Sequence, residues 1–373
     1  MNSKGDLDLI KGQLQDRIRD LCQRLLPDGR EESGQWVAFN PIEGDYKAGR
    51  LPAFKVRLRG GVIGAWKDWR SDAAGDVIKL VAYLQGTDTS GALAWSRDFL
   101  GLKSMSREER EGMRRVSQER KVRAEKDDAR RRAAKLAGAE KLFNLATTSA
   151  YAEGRPAELH ALAYFTGRDV PLRAIPDLAR SSFRFSSATE WWKGATWSSE
   201  NGRRFKTAAG PIFPAVHSAM RQWNGVISAC HVTFLDPVKP VKAPVSPPKL
   251  MFGEALGAVI EISAGPSGEP FWMTEKPAPL VVAEGIETAL SFALAAPEAR
   301  VWACGSLAGV GNAPIGLPCV SWVLFARDNN HGNSQAQKQF ETALSKLEES
   351  GKTIRVEASH VGDDFNDLAQ GEE

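Results

Sequence analysis

The chain has 373 residues, 42% of them hydrophobic and 25% charged, the profile of a soluble globular protein with enough length for two or three cores. No apolar run approaches the roughly eighteen residues that span a bilayer, and residues 1–11 lack the apolar stretch of a signal peptide, so the cytoplasm is expected and no membrane partner. A formal net charge of +3 does not announce a polyanion partner by itself; where the charge sits matters more than its total.

Residues 1–102 read as a compact α+β unit. Leu14, Ile18, Leu21 and Leu25 repeat at helical spacing until LPDG breaks the pattern. Short strand candidates follow in WVAFNP, AFKVRLRG and GVIGAWKDW, and AGDVIKLVAYLQG carries the Val77, Leu80, Val81, Leu84 pattern of a short helix. From residue 103 to 150 the composition shifts to strong helix formers, nearly free of aromatic and β-branched residues. Twelve basic residues stand against seven acidic ones between Arg107 and Lys135, a net charge of +5. That run suits either a solvated helical linker held by i,i+4 ion pairs or a phosphate-tracking arm.

Residues 151–277 alternate turns with the strand candidates GPIFPAVHS, GVISACHVTFLD and GAVIEIS. Between the last two lies PVKPVKAPVSPPK, too rich in proline for a helix or central strand and expected on the surface. Residues 278–373 are regular: LVVAEG, RVWACGS, VSWVLFARD and TIRVEAS read as strands, IETALSFALAA and SQAQKQFETALSKLEESG as helices. This alternation predicts a parallel α/β sheet covered by helices on both faces.

Four scattered cysteines form no CxxC pair and five histidines no HxxxH or HExxH spacing, which argues against a disulfide framework, a zinc knuckle and a histidine metal site. Carboxylates are better placed. Ligands of open α/β sheets bind beyond the carboxyl ends of the strands, where Glu284 and Asp328 each follow an apolar run. Hard oxygen donors of this kind suit Mg2+. Gly285 would let the backbone turn sharply beside a phosphate. The plainer alternatives are that Glu284 caps the following helix or favours its dipole and that Asp328 starts a turn; Glu287, one helical turn on, is expected to serve the helix start in either case. A third acidic group, GDDFNDLAQ, holds Asp363, Asp364 and Asp367, which suit either a cation or an exposed turn capped by Asp364 or Asn366.

Taken in order, LVVAEGIETALS, VLFARDNNHG and GDDFNDLAQ resemble the TOPRIM domain shared by DnaG-type primases, topoisomerases and certain nucleases, in the form found in phage and plasmid primases. Glu284 matches the family's glutamate, Asp328 the first aspartate of its Asp-x-Asp pair, and Asp364, Asn366 and Asp367 its terminal motif. Asn330 stands where the second aspartate falls; its amide oxygen can coordinate a cation but carries no charge. LAYFTGRDVP and GVISACHVTFLD are similar to segments preceding TOPRIM in these primases, and residues 66–86 to the tail of their zinc-binding domain. No Cys or His ligands accompany that tail, so no zinc is expected.

The resemblance implies an α/β TOPRIM domain at 278–373, a primase-like template and nucleotide domain at 151–277, the basic helix at 103–150 and a degenerate zinc-ribbon-like α+β domain at 1–102. It implies primer synthesis from ribonucleoside triphosphates on single-stranded DNA, with Mg2+ or Mn2+ held by Glu284, Asp328, Asn330 and Asp364, and Glu284 and Asp328 catalytic. Gly285, Asn366 and Asp367 would support them. Arg155, Arg168, Arg184, Arg203, Arg204, Lys206 and Arg221 would meet nucleic-acid or nucleotide phosphates, and the tryptophans among them either stack bases or fill core. No GxxxxGK motif is present, so a replicative helicase enters only as a separate partner. Two alternatives stay open: a TOPRIM metal-dependent nuclease, and a degenerate primase that binds DNA as a replication accessory.

Overall fold

The structure is a computed structural model that describes residues 3–44, 51–102, 107–148, 156–200, 203–327 and 334–358. Contacts divide the chain into two units, Met1–Ala129 and Arg130–Glu373. No helix among the described residues is long and apolar enough to cross a membrane.

In the first unit, helices α1 (Ser3–Asp16) and α2 (Ile18–Leu25) precede strands β1 (Arg30–Glu32), β2 (Gln35–Ala38), β3 (Phe54–Arg57), β4 (Trp66–Asp68) and β5 (Ala74–Gly75). The strands form one antiparallel sheet in that order. Helix α3 (Val77–Gln85) starts where the Asp76 carboxylate accepts from the amides of Ile78 and Lys79, and stops at Gly86, whose φ of 60° suits glycine. Helix α4 (Thr89–Phe99) is capped by Asp88. The spacing seen in the sequence builds the core: Leu14, Ile18, Leu21 and Cys22 pack with Phe54, Val56, Trp66, Leu80 and Val81.

A buried polar hub ties the ends of β2 and β4 to α3. Asn40 and Asp68 are each 1% exposed. Asp68 accepts from Asn40 Nδ2 at 2.7 Å, Ser71 Oγ at 2.9 Å and the Arg70 amide at 3.0 Å, and Asn40 Nδ2 also reaches the Tyr83 hydroxyl at 2.8 Å. Burial opposes the Asp68 charge, but these donors outweigh it and hold the carboxyl below its usual range. Asp68→Ala would take the acceptor from one Asn40 N–H, the Ser71 hydroxyl and the Arg70 amide, and is expected to cost about 2–3 kcal/mol. A urea titration of the full chain checks this, and a change under about 0.5 kcal/mol would show the hub to be dispensable.

Helix α5 (Arg107–Leu145) runs through the expected basic segment, and the division between units falls inside it. It is exposed over most of its described length, but Ala139 and Phe143 near its end are buried, Phe143 among Ala215, Cys230, Val232 and Phe234.

The second unit continues with β6 (Thr147–Thr148), α6 (Pro156–Thr166), β7 (Phe183–Glu190), β8 (Thr196–Glu200), β9 (Arg203–Ala208), β10 (Ile212–Arg221), β11 (Ile227–Phe234) and β12 (Lys249–Gly253). Strands β12-β11-β10-β7-β6 make an antiparallel sheet, and β8-β9 a separate hairpin. Then come β13 (Ile260–Ser263), β14 (Ala278–Ala283), α7 (Ile286–Ala295), β15 (Arg300–Ala303), α8 (Leu307–Val310), β16 (Val320–Arg327), α9 (Ser334–Glu348) and β17 (Ile354–Ala358). The C-terminal sheet has the order β13-β15-β14-β16-β17, with β15, β14, β16 and β17 parallel.

This is the expected α/β architecture. Alternate residues of the apolar strands serve opposite faces: Val281, Ala283 and Val301 pack with Ile286, Ala289 and Leu290 of α7, while Leu280, Val282, Trp302 and Phe325 pack with Phe340, Ala343 and Leu347 of α9. The α7 side is shared with Val216, Met220 and Ala229 of the antiparallel sheet. The edge differs from expectation. Strand β13, read as part of the preceding domain, pairs antiparallel with β15 (Ile260↔Ala303), so the C-terminal sheet begins before residue 278. Its isoleucines are fully buried there, which a strand left outside that core could not achieve.

Candidate active site at the carboxyl end of the parallel sheet

Glu284 follows β14 directly, at the carboxyl end of a strand flanked by two parallel neighbours. Its carbonyl accepts from the Gly305 amide at 2.8 Å, so the segments leaving β14 and β15 stay joined past the last ladder pair, Ala283↔Ala303. Helix α7 starts at Gly285 with no side-chain cap, so Glu284 is not a capping residue. Gly285 has an ordinary φ of −90°, and an added Cβ there would meet Thr288 only at 3.5 Å. The glycine that the turn requires is Gly305: its φ is 75°, and a Cβ would lie 3.0 Å from Met251 Sδ of β12.

Glu284 is half-buried and lines a pocket of about 380 Å3 with Ser306, Asn312, Lys338, Thr342 and Lys346, between α8 and α9. Burial raises its carboxyl above the usual range, against the attraction of Lys249. The neighbouring Cys304 thiol, also buried, is pushed up to about 12, the Glu284 charge adding to burial.

One helical turn on, Glu287 holds a network that the sequence did not reveal. Its side chain is 6% exposed and accepts from the Tyr164 hydroxyl at 2.7 Å and Lys249 Nζ at 2.8 Å, with Lys242 Nζ at 3.2 Å. Burial alone would raise this carboxyl; the two ammonium groups, with the bonds from Lys249 and Tyr164, reverse that and hold it well below the usual range. The expected role at the helix start is thus replaced by that of an anchor. The Pro-Lys loop is held by it at two points, Lys242 and Lys249. His231, on β11, is pushed down to about 4 by burial, Lys249 adding to this and Glu287 opposing it, and its Nδ1 has no hydrogen-bond partner.

The other expected site residues are placed as follows. Arg221 donates to the Gly225 carbonyl at 2.9 Å and lies over the Trp272 ring at 4.9 Å, and Arg184 donates to Asn144 Oδ1 at 2.8 Å above the Phe143 ring. Both are half-buried and engaged within the fold. Arg168 is half-buried after α6, and Lys206 pairs with Glu190 at 2.7 Å. Arg203 and Arg204 open β9, their side chains outside the described set. Arg155, Asp328, Asn330, Asp364, Asn366 and Asp367 lie outside the described residues. Among the described residues no group of three or more His, Cys, Asp or Glu side chains could hold a metal ion. Glu284 offers one hard oxygen donor of the kind Mg2+ takes, and β16 ends at Arg327, immediately before Asp328.

Residues 279–372 match the Toprim domain family, and residues 135–262 match a domain of unknown function (DUF7146). No curated protein matches the chain. Among solved structures, the chain is similar to the zinc-binding and RNA polymerase domains of Aquifex aeolicus primase, at 12% identity and a TM-score of 0.40, over 98% of this chain and 82% of that one. A DnaG primase catalytic domain bound to ssDNA is similar at 15% identity and a TM-score of 0.41, over 65% of this chain and 79% of that one. A DNA primase domain from Pseudomonas aeruginosa gives 17% identity and a TM-score of 0.40, over 64% and 74%.

Proposed function

Because residues 279–372 are a Toprim domain, we propose that the chain is a primase-type nucleotidyltransferase that makes short RNA primers on single-stranded DNA. The observation that carries this reading is Glu284: a half-buried carboxylate at the carboxyl end of a central parallel strand, within electrostatic reach of Lys249 of the neighbouring sheet, itself held by Glu287. In the reaction, a ribonucleotide 3′-hydroxyl oxygen bonds to the α-phosphorus of the incoming triphosphate. The α–β phosphoanhydride bond breaks, pyrophosphate leaves, and the hydroxyl proton passes to Glu284 or to solvent.

Mg2+ or Mn2+ bound by Glu284, Asp328, Asn330 and Asp364 would lower the hydroxyl pKa and offset phosphoryl charge. Lys249, whose charge reaches this carboxylate, and Lys242, which shares Glu287 with it, would serve as cations for triphosphate or template phosphates. Single-stranded DNA and ribonucleoside triphosphates are the partners, with a helicase as a separate one, and the cytoplasm is the proposed location.

Incorporation of labelled ribonucleotides on single-stranded DNA tests the proposal. Short RNA products that require template and vanish with a chelator are expected. Cleavage of the template instead would establish the nuclease reading, and binding without either reaction the accessory one, which the uncharged Asn330 favours.

A further inference from the structure

The β8–β9 hairpin stands apart from both large sheets of its unit, carried between β7 and β10. Two-stranded ribbons are marginally stable in water, and burial of their aromatic rings is the usual support. This one leaves its rings partly exposed. Every residue of β8 is exposed, Trp197 at 42%, and on β9 Phe205 is exposed at 45%. Trp197 pairs with Lys206 and Ser198 with Phe205, so the rings sit on opposite faces of the ribbon.

The charge is one-sided. In sequence, β9 carries Arg203, Arg204 and Lys206, and β8 the single acid Glu200. Lys206 Nζ lies 5.7 Å from the Trp197 ring centre while meeting Glu190 at 2.7 Å. The base of the hairpin is also tied to the active-site lysines. Trp191 Nε1 donates to the Pro247 carbonyl at 3.1 Å, two residues before Lys249, which meets Glu287.

We propose that the β8–β9 hairpin is a base-stacking arm for an unpaired nucleic-acid strand. Exposed rings interleaved with cations suit a ligand that offers a π-face and a phosphate at each step, which a single strand does and a stacked duplex does not. The Trp191–Pro247 bond fixes the arm to the loop bearing Lys242 and Lys249, so one strand can run from the lysines to the rings. The inference rests on the reading of a polynucleotide as the site's substrate.

The test is fluorescence anisotropy of a fluorescein-labelled oligothymidylate with the full chain. The double variant Trp197→Ala with Phe205→Ala is expected to weaken binding about tenfold or more. The conservative Trp197→Phe with Phe205→Tyr should retain it, and the unfolding transition should stay unchanged in both. Loss under about twofold overturns the arm, as does a parent that binds no oligothymidylate. A loss accompanied by a change in oligomeric state also overturns it, since the rings would then seat a second copy. If the parent binds through the rings yet makes no RNA, the arm stands and primer synthesis falls.

Discussion

Glutamine in place of Glu284 is expected to lower primer synthesis by about a hundredfold or more while leaving the fold intact. The two effects separate because the carboxylate is held where its charge is poorly solvated: burial raises its carboxyl, so a neutral amide of the same shape sits there more comfortably. The sign follows from linkage. A carboxyl whose folded pKa lies above its unfolded value binds more protons when folded, so its contribution to stability declines as pH rises through that interval. The glutamine variant lacks that decline and should melt at or above the parent temperature near neutral pH. Activity runs the other way, because a glutamine amide oxygen would coordinate a cation without the charge that holds it strongly. Product formation and thermal melts on the same preparations check this. Full activity in the glutamine variant would remove Glu284 from the chemistry, whereas loss of activity with a lowered melt would make it structural. Asp328→Asn is the matching test of the partner read from the sequence.

Alanine at Glu287 is expected to destabilise the chain by about 3–5 kcal/mol, the scale for removing one member of a buried ion pair. The loss leaves two ammonium groups and the Tyr164 hydroxyl without their shared acceptor. It also frees the Pro-Lys loop at Lys242 and Lys249, so the template and nucleotide requirements should rise in whatever fraction stays folded. The pH dependence is opposite to that of Glu284. The Glu287 carboxyl is depressed in the folded state, so its stabilisation is present above the unfolded carboxyl pKa of about 4.3 and is lost as pH falls toward the folded value. Urea titrations of parent and variant at neutral pH and below about pH 4 should therefore converge on acidification. A difference under about 1 kcal/mol at neutral pH would show that the lysines find other partners.

The contrast between these two glutamates shows what the sequence could and could not disclose. Glu284 was legible because it interrupts an apolar run at the point where a parallel strand must end, and parallel strands buried on both faces write such runs plainly. Glu287 sits three residues on, where an acid in the first turn of a helix is ordinary, and nothing local marks it as buried. Its partners come from 123, 45 and 38 residues away, Tyr164, Lys242 and Lys249, and proline spacing made the lysine loop look like plain surface. Gly305 was hidden for a related reason: its need for glycine comes from a left-handed φ of 75° set by the turn, with Met251 of another sheet close by. Strand β13 reads the same in either neighbouring domain, and only pairing with β15 assigns it. The remaining expected ligands, Asp328, Asn330 and Asp364, rest on the motif alone.

All four cysteines are buried, and burial pushes Cys22, Cys230 and Cys304 up to about 12 and raises Cys319 as well. Thiolate is the reactive form, so the native chain keeps its sulfur chemically silent near neutral pH. One of these thiols lies in the first unit and three in the second. Alkylation at each position is therefore a clock started by opening of the surrounding core, and the fold carries separate timers for its two units without any label being added.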